Sequence, residues 1–138
     1  MLLWIDKDMD WFAPASGKRG RSETFTETSL GSSMISTGFA CLRSYLVENN
    51  LARFCRIAAV TTGQRRFGSA ALDLCLVADG QVDAFWEQEL NLYDVAAGAL
   101  IALEAGGTVT DFKGNPGIFP KQILATNGGI FEEILPLM

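Results

Sequence analysis

Apolar segments of two lengths alternate along the second half of the chain, and glycines punctuate them. This pattern limits the fold more than any other feature. Ala70 to Ala78 is almost wholly apolar; Ser69 before it suits a helix N-cap and Gly80 after it a helix stop. Val82 to Trp86 is shorter and predicts a strand. Asp94 to Ala105 predicts a second helix, halted by Gly106 and Gly107. Thr108 to Phe112 is β-branched and predicts a strand, as does Ile123 to Thr126; Asn127-Gly128-Gly129 then leads into a short final helix. A helix apolar on most sides is buried on most sides. Near-continuous apolar strands belong to sheets covered on their faces. The alternation therefore predicts an α/β fold with a mostly parallel or mixed sheet covered by helices.

The first half carries weaker signals. Ser33 to Thr37 predicts a strand ending at Gly38, Ser44 to Asn50 a helix, and Ile57 to Val60 a strand. Leu2 to Ile5 and Trp11 to Ala13 flank a turn-like Asp6-Lys7-Asp8-Met9-Asp10 and predict a hairpin. The spacing of those aspartates matches the start of a calcium loop. Such a loop needs glycine where Trp11 stands and glutamate where Gly17 stands, so a solvated turn is the better reading. Ala15 to Thr28, rich in Gly, Ser, Thr and charge, predicts loop. At 138 residues and 49% hydrophobic, the chain has the size and composition of one ordinary domain.

The chain has no histidine. That removes Ser-His-Asp triads, Cys-His pairs, H-E-x-x-H zinc sites and imidazole bases. Chemistry must run on carboxylates, hydroxyls, backbone amides and a hard metal. Three cysteines, Cys41, Cys55 and Cys75, stand far apart in apolar settings without a C-x-x-C pair. They predict buried thiols and a cytoplasmic location. A net charge of −5 argues against a nucleic-acid partner, which would call for a basic stripe. The short cluster Lys18, Arg19, Arg21 reads as a solvated loop. Met1 to Ile5 lacks a basic leader and meets Asp6 at once, and Val95 to Leu103 is too short to span a membrane, so neither export nor a membrane partner is expected.

Three stretches are candidates for chemistry. In Arg65-Arg66-Phe67-Gly68-Ser69-Ala70-Ala71-Leu72-Asp73, a glycine at the mouth of a helix lets a ligand approach the free amides of the first turn. The same glycine also serves as the end of an ordinary turn. Asp94, at a predicted helix start, is a cap or an oxygen ligand for a hard cation such as Mg²⁺. Glu87, seven residues upstream, lies near a strand end and can face the same mouth. Leu103-Glu104-Ala105-Gly106-Gly107-Thr108 reads as a helix stop and nothing more.

Taken together these stretches resemble the inositol monophosphatase family. Members typically read G-[ST]-A-A after an arginine, then a glutamate, then W-D-x-x-A-G and E-A-G-G. This chain has Gly68-Ser69-Ala70-Ala71, Glu87, Tyr93-Asp94-Val95-Ala96-Ala97-Gly98 and Glu104-Ala105-Gly106-Gly107 in that order. Leu124-Ala125-Thr126-Asn127-Gly128 resembles the family's closing strand. The match is strong from Gly63 to Asn127 and weaker from Met1 to Gly38. Tyr93 stands where the family usually has tryptophan.

The resemblance implies a layered αβαβα sandwich of the sugar-phosphatase type, a homodimer, Mg²⁺ as cofactor and inhibition by lithium. It implies that Asp94 is a metal ligand and a substrate contact, that Glu87 holds inositol hydroxyls, and that Gly68, Ser69 and Ala70 contact the substrate. Arg65 matches a basic residue that orders this region. The family's G-E-x and D-P-[LI]-D-G-T motifs, which supply the remaining metal carboxylates, do not occur here. No catalytic residue is identified in this chain, and the resemblance places such residues in an N-terminal half expected upstream. On this view residues 1–28 are a hairpin and loop remnant of an N-terminal domain, and residues 29–138 are the C-terminal α/β domain.

Two functions from different classes follow. One is a Mg²⁺-dependent hydrolase converting an inositol or sugar monophosphate to alcohol and phosphate, inactive without the other half. The alternative is an inactive polyol-phosphate-binding or protein-interaction domain. Fructose bisphosphate, nucleotide bisphosphate and histidinol phosphate remain open as related substrate classes.

Overall fold

The computed structural model describes residues 29–43 and 49–138. A 3-10 turn, Leu30–Ser32, leads into strand β1, Met34–Thr37, and a short helix α1, Ala40–Arg43. Helix α2 covers Leu51–Ala58 and strand β2 Gly63–Arg65. Helix α3 (Ala70–Ala78), strand β3 (Ala84–Gln88) and helix α4 (Leu92–Glu104) follow. Strands β4 (Thr108–Thr110) and β5 (Gln122–Thr126) precede helix α5 (Phe131–Ile134) and a closing 3-10 turn, Leu135–Leu137.

The strands form one five-stranded mixed sheet in the order β2-β1-β3-β5-β4. β1 pairs in parallel with both β2 and β3, with Ser36 opposite Arg65 on one side and Phe85 on the other. β5 runs antiparallel between β3 and β4, placing Glu87 opposite Ile123. Alternate residues serve opposite faces, as strand geometry requires. Phe85, Val109, Ile123 and Ala125 join the α3 and α4 residues Leu74, Val77, Val95, Ala99 and Ala102 in one apolar layer. Ile35, Ala84, Trp86 and Leu124 face the other way and meet Ile57 of α2 and Ile134 of α5. The expected α/β fold, a mixed sheet flanked by helices, is what the chain adopts. Among the described residues no helix is long and apolar enough to cross a membrane.

Three expectations are corrected. Of the three cysteines expected as buried thiols only Cys41 is buried; Cys75 is half-buried and Cys55 lies on the exposed side of α2. Ile57 to Val60 is not a strand: Ile57 and Ala58 close helix α2, and Val60 lies exposed beyond it. Leu51, Phe54, Ile57 and Ala58 recur at helical spacing, and a four-residue apolar window conceals that period. The strand in this part is instead Gly63-Gln64-Arg65, with no apolar side chain and a place at the sheet edge. The helix expected over Ser44 to Asn50 falls mostly outside the described residues; its last residue, Asn50, instead precedes α2 as its N-cap. The hairpin expected over Leu2 to Ala13, and all of residues 1–28, also lie outside the described residues.

Candidate functional site

Helix α3 begins where Gly68 turns the chain. Gly68 has φ of +90°, a left-handed conformation that side chains disfavour, and the space beside its Cα is open. Ser69 is extended and its Oγ accepts from Leu72 N at 3.4 Å, capping the helix. The first-turn amides of Ala70 and Ala71 have no intrahelical acceptor and remain available to a ligand. Both residues line an open cavity of about 470 Å³.

Glu87 enters this cavity from the C-terminal part of β3. Its residue is only 6% exposed. One carboxylate oxygen, Oε1, accepts from Ala40 N at 3.0 Å. Gly38, at the end of β1, makes room for it: a Cβ there would collide with the Glu87 carboxylate. Gly38 is held from behind by Asn50, whose Nδ2 donates to the Gly38 carbonyl. Burial raises the Glu87 pKa above its usual value, the Ala40 hydrogen bond opposes that, and the charge of Asp73 adds to the rise.

Asp94 reaches the same cavity because the β3–α4 turn is tight. Glu89 adopts a left-handed backbone with φ of 64°. This conformation costs about 1 kcal/mol or more in a residue with a Cβ. Glu89 N and Leu90 N donate to the Lys121 and Pro120 carbonyls at 3.1 and 3.0 Å, fixing the turn. The Lys121 ammonium also pairs with Glu89 at 3.0 Å on the surface, a contact contributing at most about 1 kcal/mol. Asn91 then caps α4, and Asp94 Oδ2 accepts from Asn91 N at 2.9 Å and from Asn91 Nδ2 at 3.3 Å. Asp94 is therefore both a capping residue and a cavity-lining carboxylate, and its Oδ1 is left for a ligand.

The five residues singled out from the sequence, Gly68, Ser69, Ala70, Glu87 and Asp94, thus line one cavity. Arg65 does not; its Nη1 donates to the Gln64 carbonyl at 3.1 Å, and Arg66 lines the cavity instead. Sequence reasoning missed Gly38 and gave no role to Asp73, although Asp73 closes the first candidate stretch. Gly38 marks the end of a predicted strand and gives no further signal. Asp73 is an acid in an apolar helix, which is a signal: a carboxylate in such a run is buried and needs a reason.

Among the described residues no group of three or more His, Cys, Asp or Glu converges to hold a metal ion. Asp94 offers one carboxylate, and half of that is engaged with Asn91. Mg²⁺ in phosphoryl-transfer sites needs carboxylates together with substrate phosphate, and two-metal hydrolysis needs two such clamps. The described residues do not make a magnesium centre by themselves.

Comparison with known proteins gives a consistent result. The sequence model described as the inositol monophosphatase family matches residues 16–136. An inositol-1-monophosphatase of Synechocystis is 44% identical over 110 residues, covering 79% of this chain and 38% of that protein. The Nus factor SuhB of Pseudomonas aeruginosa is 42% identical over 110 residues, covering 78% of this chain and 41% of that protein. The solved inositol monophosphatase of Anabaena superposes with a TM-score of 0.79 at 41% identity, over 83% of this chain and 46% of that one. The chain spans less than half the length of each of these three relatives.

Proposed function

The chain belongs to the inositol monophosphatase family, and on that premise we propose that it is the substrate-recognising portion of a magnesium-dependent phosphomonoesterase. Its substrate is an inositol or other sugar monophosphate, released as alcohol and phosphate. The observation that carries this reading is the convergence of Gly68, Ser69, Ala70, Glu87 and Asp94 on one cavity of about 470 Å³. Its lining offers both donors and acceptors. The α3 amides beside Gly68 supply donors, and Glu87 supplies an acceptor whose second oxygen is free of the Ala40 bond. A polyol carrying one phosphate presents hydroxyl donors to such carboxylates.

Glu87 holds and orients the alcohol; the Asp94 carboxylate would supply one oxygen ligand to Mg²⁺, and the remaining carboxylates would come from residues outside those described. Magnesium would supply the activated water and charge stabilisation. The contribution of this chain is to bind and orient the ester. We place the protein in the cytoplasm as a homodimer by the same family reasoning.

The test is phosphate release from inositol monophosphate in the presence and absence of Mg²⁺. It is run on this chain alone and on this chain mixed with an N-terminal half bearing the family's metal carboxylates. Release in the mixture, dependent on Mg²⁺ and lost in Asp94→Asn, is the expected result. Folded protein that releases nothing in either condition would sink the reading.

A second reading, a binding domain without turnover, is favoured by the lack of a metal-holding cluster among the described residues. Magnesium-independent binding of a polyol phosphate, unchanged in Asp94→Asn, would select it. The Nus factor name carried by the Pseudomonas aeruginosa relative makes a protein partner the other candidate ligand for that reading.

A further inference from the structure

Asp73 sits in the first turns of α3, in an otherwise apolar helix, and is only 2% exposed. It lines the same cavity as Glu87 and Asp94. Its Oδ1 has no hydrogen-bond partner, and neither has the hydroxyl of Ser36, the fully buried residue of β1 that faces it. Burial raises the Asp73 pKa; the nearby Ser36 hydroxyl, which stops short of full hydrogen-bond geometry, the Ser69 backbone amide and the Arg66 charge pull it back. The Ser69 amide at the helix start and the Arg66 charge offset part of the cost of burying this carboxylate, but Oδ1 stays without a partner, which is unfavourable in the empty protein.

The position explains it better than the fold does. Asp73 and Glu87 are close enough for the charge of one to raise the pKa of the other. The cation lining the cavity beside them, Arg66, is exposed at its rim. Two neighbouring carboxylates with acceptor capacity to spare repel phosphate and attract hydroxyl donors. The terminal torsion of an aspartate is soft, so a small rotation presents either oxygen to the cavity. Ser36 then donates from behind, fixing the carboxylate, while the front oxygen takes a ligand.

We propose that Asp73 is a second polyol-binding carboxylate, which with Glu87 receives two separate hydroxyl groups of the substrate alcohol. The proposal rests on the reading of the chain as a binder of inositol or sugar phosphates, and it adds that the alcohol, not the phosphate, faces α3 and β3 at this end. It makes Asp73 a positioning and specificity residue, with Ser36 as its support.

The experiment is binding of myo-inositol and its monodeoxy analogues to the full chain by titration calorimetry, with thermal melting in parallel. Asp73→Asn should weaken myo-inositol binding about tenfold, the loss of one charge-assisted hydrogen bond. Its melting temperature should be equal to or higher than that of the parent. Glu87→Gln should weaken binding by a similar factor and remain sensitive to removal of a different hydroxyl from the sugar. Should Asp73→Asn not fold, the unmutated chain decides: affinity must fall separately for two distinct deoxy positions. Parent binding that Asp73→Asn leaves intact would overturn the role of Asp73 while leaving the polyol reading standing. A parent chain that binds no polyol would overturn both.

Discussion

Gly38 is a glycine because Glu87 occupies the space its side chain would need. Gly38→Ala should therefore displace a buried carboxylate that is already bonded to Ala40. Overpacking of this kind costs roughly 1–3 kcal/mol. The expected outcome is a lower melting temperature together with loss of polyol binding, checked by calorimetry on the folded variant. Glu87 also yields a pH prediction. Its pKa in the folded chain is raised above the ordinary 4.5, mainly by burial. The folded state then binds more protons than the unfolded state in the interval between the two values, so stability falls as pH rises through that interval. Below 4.5 the group is protonated in both states and has no effect of this kind. Glu87→Gln should remove its share of the decline. The difference in melting temperature between variant and parent should be more favourable to the variant at pH 7 than at pH 4, and an identical difference at both would contradict the burial argument. Glu87 and Asp94 were singled out because they match the family's glutamate and its W-D-x-x-A-G aspartate; local chemistry alone left Asp94 as a helix cap. Gly38 was not, because its role depends on which side chain lies opposite, and that partner is distant in sequence; Asp73 was visible as an acid in an apolar helix, but not its neighbours Ser36 and Glu87.

Helices α3 and α4 were visible from composition, since each is apolar round most of its circumference and ended by glycine or a turn. Their mutual fit was not visible. Gly98 lets α4 approach α3 closely: a Cβ at Gly98 would lie 2.7 Å from the Leu74 Cβ and 3.1 Å from the Ala71 carbonyl oxygen. Gly98→Leu should push the helices apart and destabilise the chain by about 3 kcal/mol or more, with Gly98→Ala less harmful. Denaturant melts of the two variants check the order. The opening of the cavity should suffer as well, because α3 carries Ser69 and Asp73 and α4 carries Asp94. Helix α2 and strand β2 were misread for a shared reason. α2 buries one stripe, with Ile57 fully covered while Leu51 stays half-exposed. β2 is an edge strand whose stability comes from pairing with β1, not from its own side chains. A strand held mainly by backbone hydrogen bonds leaves little trace in a hydrophobic pattern.

The described residues form a sheet covered on both faces, yet several large apolar side chains stay exposed, among them Tyr93, which lines the cavity. Tyr93 is 81% exposed and Leu92 59%; Phe67 and Leu72, which flank the start of α3 in sequence, are exposed too. On the homodimer proposal some of this surface is covered by a second copy, since contiguous apolar patches on a protein surface mark association sites. Sedimentation velocity should show a concentration-dependent dimer that Leu92→Ser with Tyr93→Ser weakens; a strictly monodisperse monomer would speak against it.

By itself the sequence determined the α/β class, the two central helices and the residue types able to do chemistry. Each of these depends on composition within a short window: apolar continuity, a glycine stop, the absence of histidine. The tertiary structure alone decided which carboxylates share a cavity, that Gly38 must yield to Glu87, and that Asp73 turns inward beside Ser36. Those facts are contacts between β1, α3 and β3, and a contact between distant segments is set by packing and by strand register, neither of which any single segment encodes.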